Sequence, residues 1–176
     1  MASEIEHYSL PLPRLDAPAR LALVVSPYYS AIARGLVTGA LRMAEAAGAG
    51  TEVIEVPGAL EIPPAIACLG RSGRFDGFVA LGCVIRGETT HYDTVCNDSS
   101  RGLMLLGLEG LAIGNGILTV ESAAQALVRS DPDGQDKGGG AAAAALHLIA
   151  LARRFPAAPA RPLRPARERM SGSDKQ

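Results

Sequence analysis

Residues 77–93 read Gly77-Phe78-Val79-Ala80-Leu81-Gly82-Cys83-Val84-Ile85-Arg86-Gly87-Glu88-Thr89-Thr90-His91-Tyr92-Asp93. The first nine are an apolar run without polar alternation, the pattern of a strand buried on both faces. Gly87 then permits a tight turn, and Thr90 with Asp93 three residues later has the spacing of a helix start. A helix is predicted from about 91 to 109. A doubly buried strand that leads straight into a helix is the repeating unit of a parallel sheet, because parallel neighbours need a crossover between them.

Outward from this stretch the same unit recurs. Leu21–Val25 is a second buried run, and residues 30–47 follow with Ile32, Leu36, Val37, Ala40 and Met43 at helical spacing, closed by Gly48. Residues 52–56 form a third strand ended by Pro57-Gly58, with a helix over 59–70. Residues 112–120 form the last strand, leading into a helix over 121–129, and a final helix over 140–154 gains propensity from Ala141–Ala145. Four strands separated by helices predict an α/β fold: a flavodoxin-like three-layer α/β/α sandwich with a four-stranded parallel sheet. Pro11, Pro13 and Pro18 make residues 1–19 an irregular N-terminal arm. Pro156, Pro159, Pro162 and Pro165, set among Ala and Arg, make residues 155–176 a disordered tail. The α/β domain is expected over 20–154.

Composition narrows the function classes. A chain of 176 residues fits one domain, and 17 basic against 18 acidic residues (net charge −1) argues against nucleic acid held by bulk charge. The apolar fraction of 48% supports a true core, built without Trp. A chain so rich in Ala and Gly favours close helix–sheet contact. Cys68, Cys83 and Cys96 are too few and too spread for a disulfide framework or a zinc site, which suits a reducing compartment. No secretory signal and no span of about 18–20 apolar residues is present, so a cytoplasmic protein without a membrane partner is expected.

Parallel sheets bind ligands at the carboxyl ends of their strands. In the 86–93 loop, the backbone N–H groups of Glu88, Thr89 and Thr90 are expected to face one spot at the positive end of a helix, an anion site suited to phosphate. His91 stands beside it. Tyr28 and Tyr29 follow the first strand, where a ring either stacks on a flat heterocycle or packs at the core or a subunit contact. In the loop after the second strand, Glu61 and its neighbours either hydrogen-bond a polyol or form a simple Pro-Gly turn. Arg129 and Lys137 flank a polar segment, as phosphate partners or as ordinary helix-end cations.

The blocks Val-Pro-Gly-Ala-Leu-Glu-Ile-Pro (56–63), Ala-Leu-Gly-Cys-Val-Ile-Arg-Gly-Glu-Thr-Thr-His-Tyr-Asp (80–93), Gly-Ile-Leu-Thr (116–119) and Asp-Lys-Gly-Gly (136–139) resemble the lumazine synthase family, in order across 20–154. The resemblance implies a transferase of riboflavin biosynthesis. Its reaction condenses 5-amino-6-(D-ribitylamino)uracil with L-3,4-dihydroxybutan-2-one 4-phosphate to 6,7-dimethyl-8-ribityllumazine, phosphate and water, with no metal or cofactor. It further implies His91 as the catalytic proton carrier, with Glu88, Thr89 and Arg129 on the butanone phosphate. Tyr28, Ala59, Leu60, Glu61, Cys83, Val84, Ile85, Asn115 and Lys137 would hold the ribitylaminouracil. By the same resemblance the chain is a homopentamer-based oligomer with sites between subunits, and riboflavin synthase is a candidate partner.

Three positions depart from the family pattern. Tyr28 stands where Phe is usual, Asn115 where many members have a second aromatic, and Asp133 where some have a lysine. A non-catalytic flavodoxin-like module fits less well. A phospho-receiver needs acidic residues after the first strand and an Asp after the third, and a flavodoxin needs a phosphate loop after the first strand. A paralogue that mainly binds flavins or builds a shell would keep the same motifs.

Overall fold

A computed structural model describes residues 10–156. In chain order the elements are β1 (Arg20–Val25), α1 (Ser30–Ala46), β2 (Gly50–Glu55), a 3-10 turn (Ala59–Glu61), α2 (Ile62–Arg71), β3 (Gly77–Ile85), α3 (His91–Leu108), β4 (Ile113–Val120), α4 (Ala123–Ser130) and α5 (Lys137–Arg154). All strand pairs are parallel, in the order β2-β1-β3-β4. Residues 10–19 carry no helix or strand, and the expectations for residues 1–9 and 157–176 lie outside the described residues.

Strand alternation sorts the core into two layers. Leu21, Leu23, Val25, Val79 and Leu81 face α1 and α5, whereas Ala22, Val24, Phe78 and Ala80 face α2 and α3. This is the three-layer sandwich expected of doubly buried strands. No aromatic side chain is among the buried residues of the α5 layer, and its glycines let the elements approach closely. A Cβ on Gly138 would collide with the Leu36 carbonyl of α1, and one on Gly114 with the Ala141 carbonyl of α5.

Several predicted boundaries move. Helix α5 begins at Lys137, three residues before the predicted start, because Asp136 caps it and the glycines there are needed for close packing rather than for a loop. Residues 59–61 are a 3-10 turn, with α2 starting at Ile62 and a proline in its first turn. Strand β2 lies two residues earlier at its start, since the Gly50 N–H already reaches the Ala19 carbonyl at 2.8 Å.

One structural detail positions the site. Strand β1 ends at Val25, opposite Leu81, while β3 runs on to Ile85 with β4 beside it to Val120. Cys83, Val84 and Ile85 are therefore left without a β1 neighbour. The chain after β1 turns away through Tyr28 and Tyr29 into α1, and a cavity opens along the overhang.

Candidate active site

The overhang cavity has a volume of about 390 Å³. One wall is Cys83, Val84 and Ile85. Tyr28 stands across from it, and Ala59, Leu60 and Glu61 of the 3-10 turn close a further side, with Thr89 and His91 at the start of α3. The structure thus gathers strand-end residues separated by more than sixty positions in sequence. Glu88 belongs to the same loop but is exposed and does not line the cavity.

The two tyrosines are distinguishable. Tyr28 is 76% exposed. Tyr29 is half-buried against the α1 layer, its ring edge-on to Tyr28 at 5.0 Å, and burial raises its hydroxyl above the usual range, followed by the influence of Tyr28. A free ring face is available on Tyr28.

The start of α3 differs from its predicted form. Thr90 occupies the N-cap position, but its side chain caps nothing, and the Asp93 carboxylate lies 3.5 Å from Arg86 instead of closing a capping box. Thr89 Oγ1 accepts the His91 N–H at 3.4 Å. Among the described residues the N–H groups of Glu88, Thr89 and Thr90 donate to no protein acceptor. Unpaired N–H groups at a helix start are the electrostatic requirement for binding an anion.

Ser26, Gly58, Gly87, Tyr92 and Val95 also line the cavity, and sequence reasoning did not single them out as site residues. Ser26 is buried and its hydroxyl donates to the Pro57 carbonyl at 3.3 Å, tying the first loop to the second. A Cβ on Gly58 would lie 2.7 Å from Glu61 Oε2, so glycine there leaves room for the Glu61 carboxylate. The chemistry of the wall is protic and neutral at Cys83: burial first, then nearby Cys96, pushes its thiol up to about 11.

Arg129, Lys137 and Asn115 are elsewhere. They line a second depression, about 380 Å³, on the outer edge of β4 between α4 and α5, and no residue lines both. Arg129 donates from Nη1 to the Gln125 carbonyl at 3.1 Å, as a helix-end cation does. Asn115 Oδ1 accepts the Ile117 N–H at 2.9 Å, covering an edge-strand donor. Asp133 is taken up by Arg42 of α1 at 2.7 Å, which pins the link before Lys137. A third, apolar groove of about 610 Å³ runs between the C-terminal ends of α3 and α5, with Met104 65% and Leu108 78% exposed. Among the described residues no group of three or more His, Cys, Asp or Glu is placed to hold a metal ion, and no helix is long and apolar enough to cross a membrane.

The family model described as 6,7-dimethyl-8-ribityllumazine synthase matches residues 18–153. Relatives of that name are 53% identical over 146 residues in Jannaschia sp. (strain CCS1), covering 83% of this chain and 82% of the relative. The one in Novosphingobium aromaticivorans is 54% identical over 137 residues, 78% of this chain and 99% of its own. That of Methylobacterium radiotolerans is 55% identical over 138 residues, 78% and 84% of the two chains.

Proposed function

This chain belongs to the 6,7-dimethyl-8-ribityllumazine synthase family, enzymes of riboflavin biosynthesis, and we propose that it condenses 5-amino-6-(D-ribitylamino)uracil with L-3,4-dihydroxybutan-2-one 4-phosphate. The observation that supports this reading is the pairing, in one cavity, of a free ring face on Tyr28 with the unpartnered N–H of Thr89 next to His91. One end suits a flat pyrimidine, the other a phosphate.

The pyrimidine lies on Tyr28, with the backbone of Cys83, Val84 and Ile85 along its edge and the 3-10 turn of Ala59, Leu60 and Glu61 on the ribityl side. The phosphate sits at Glu88 and Thr89. The amine adds to the ketone, water leaves to give an imine, phosphate departs, and the second amine closes the ring with loss of water. Each step moves a proton between nitrogen, oxygen and carbon, which the His91 imidazole can relay. Alignment of two small molecules does the rest.

Arg129, Lys137 and Asn115 line a separate depression, so they complete the site of a neighbouring copy. A ring of identical, head-to-tail interfaces satisfies that arrangement, and we assign a homopentamer. The apolar groove beside α3 and α5 supports burial against another subunit. Riboflavin synthase, which would use the product, is the candidate protein partner.

The test is to mix both substrates with purified protein and follow the absorbance and fluorescence of the lumazine. Product formation that depends on both substrates is expected. A protein that binds flavin or lumazine but forms no product would be a binding paralogue and would contradict the reading.

A further inference from the structure

Arg86 follows β3 directly, and its side chain is engaged from three sides. Nε donates to Glu121 Oε2 at 2.8 Å, Nη1 lies 3.5 Å from Asp93 Oδ1, and the guanidinium carbon stands 4.0 Å from the centre of the Tyr92 ring. The Arg86 backbone N–H meets the Val120 carbonyl at 2.9 Å, extending the β3–β4 ladder by one step. The end of β3, the first turn of α3 and the link between β4 and α4 therefore converge on one side chain.

Between Arg86 and α3 the loop is almost untethered. Among the described residues, Gly87–Thr90 are hydrogen-bonded only to the first turn of α3, which follows them: the Asp93 and Thr94 N–H groups donate to the Thr90 carbonyl, and the His91 N–H donates to Thr89 Oγ1. The path of this loop is set by its two ends, and Arg86 holds both: it is itself one end, and through Tyr92 and Asp93 it grips the other. Glu121 anchors the clasp to the far edge of the sheet. Two carboxylates and a ring face already engage the guanidinium, so it is not the cation that would meet an anionic substrate.

We propose that Arg86 is a positioning residue, which sets the placement of His91 and of the N–H groups of Glu88, Thr89 and Thr90 by clasping both ends of their loop; this rests on the function proposed above for that loop. Its partners are exposed, and exposed pairs contribute little to global stability. A misplacement of about 1 Å, by contrast, can cost about 100-fold in rate.

The test uses the full chain with Arg86→Gln, Arg86→Lys, Glu121→Gln and the double variant Arg86→Gln/Glu121→Gln. Arg86→Gln should lower kcat about 10- to 100-fold and raise the KM of the butanone phosphate, leaving the KM of the uracil within about twofold. Its thermal midpoint should fall by no more than about 3 °C. Arg86→Lys should restore part of the rate, and the double variant should be no slower than Arg86→Gln, since both changes open one clasp. Calorimetric titration with inorganic phosphate gives a readout independent of turnover, with binding at least about fivefold weaker in Arg86→Gln. Unchanged kcat and phosphate binding, additive losses, or losses that track the melting temperature would overturn the proposal. A wild-type protein that forms no lumazine would instead contradict the functional reading, and the phosphate titration would still decide the role of Arg86.

Discussion

The Asp136 carboxylate accepts the Gly139 N–H at 2.9 Å while the Asp136 backbone sits in the left-handed region at φ 42°. The cap and the turn are thus one residue, and they aim Lys137 along the first turn of α5. Alanine loses the cap and tolerates that φ poorly, so Asp136→Ala should cost about 1–2 kcal/mol and lower the melting temperature by several degrees. Asp136→Asn keeps an acceptor and a tolerated conformation and should stay near wild type. Equal melting points for the two variants would refute this account of the turn.

Arg153 joins the last turn of α5 to the segment just before β1. It donates to the Ala17 carbonyl at 2.6 Å and the Pro18 carbonyl at 3.0 Å, and lies 3.3 Å from both Asp16 and Asp76. Truncation after Arg154 should leave stability and turnover nearly unchanged, whereas Arg153→Ala should cost about 1–3 kcal/mol. Denaturant unfolding of the two proteins side by side measures the difference; a truncation as harmful as the substitution would show that residues beyond 154 dock on the body.

Strands β1 and β3 are legible because a doubly buried parallel strand is an unbroken apolar run, whereas edge strand β2 carries Thr51, Glu52 and Glu55, so its start is not marked in the sequence. The start of α5 was not, because Gly138, Gly139 and Gly140 look like a loop. Only the packed structure shows that the Leu36 carbonyl leaves no room for a side chain at Gly138. The topology rule pointed to the loops after the strands, while the grouping of Tyr28, the 59–61 turn and His91 came from the family resemblance. The clasp of Arg86 on Glu121 spans 35 residues, and nothing local signals it. Asp93, whose spacing with Thr90 suggested a capping box, lies instead 3.5 Å from the same Arg86.

Burial first, then Cys96, holds the Cys83 thiol up at about 11, against 9 for an unperturbed thiol. At pH 8 roughly one part in a thousand is thiolate, so alkylation of Cys83 should be slow beside that of exposed Cys68, and should accelerate as pH rises toward 11. Because the folded pKa is raised, this group's contribution to stability is complete below about 9 and is lost as pH climbs through about 11. Peptide mass spectrometry across that range tests it; equal labelling of Cys83 and Cys68 at pH 8 would contradict it.

The proposed division of labour predicts distinct kinetic failures. Arg129→Ala should raise the KM of the butanone phosphate and spare that of the uracil. His91→Ala should chiefly lower kcat, by about 10- to 100-fold, because alignment of the substrates survives. Tyr28→Ala should weaken the uracil, in line with a stack worth about 1–3 kcal/mol. Steady-state kinetics with each substrate varied in turn separates these; an equal effect of Arg129→Ala on both would misplace the phosphate.

We propose that the His91 cavity and the Arg129 depression, which share no lining residue within one chain, are two halves of a site built between copies. Subunit mixing decides whether the two halves meet. His91→Ala and Arg129→Ala proteins, each nearly inactive at low butanone phosphate, are unfolded together, refolded at equal ratio and assayed against wild type treated alike. Random assembly around a ring places an intact His91 opposite an intact Arg129 in about a quarter of the sites, so about a quarter of wild-type activity should return. Activity no higher than the mean of the two variants refolded separately would contradict a shared site.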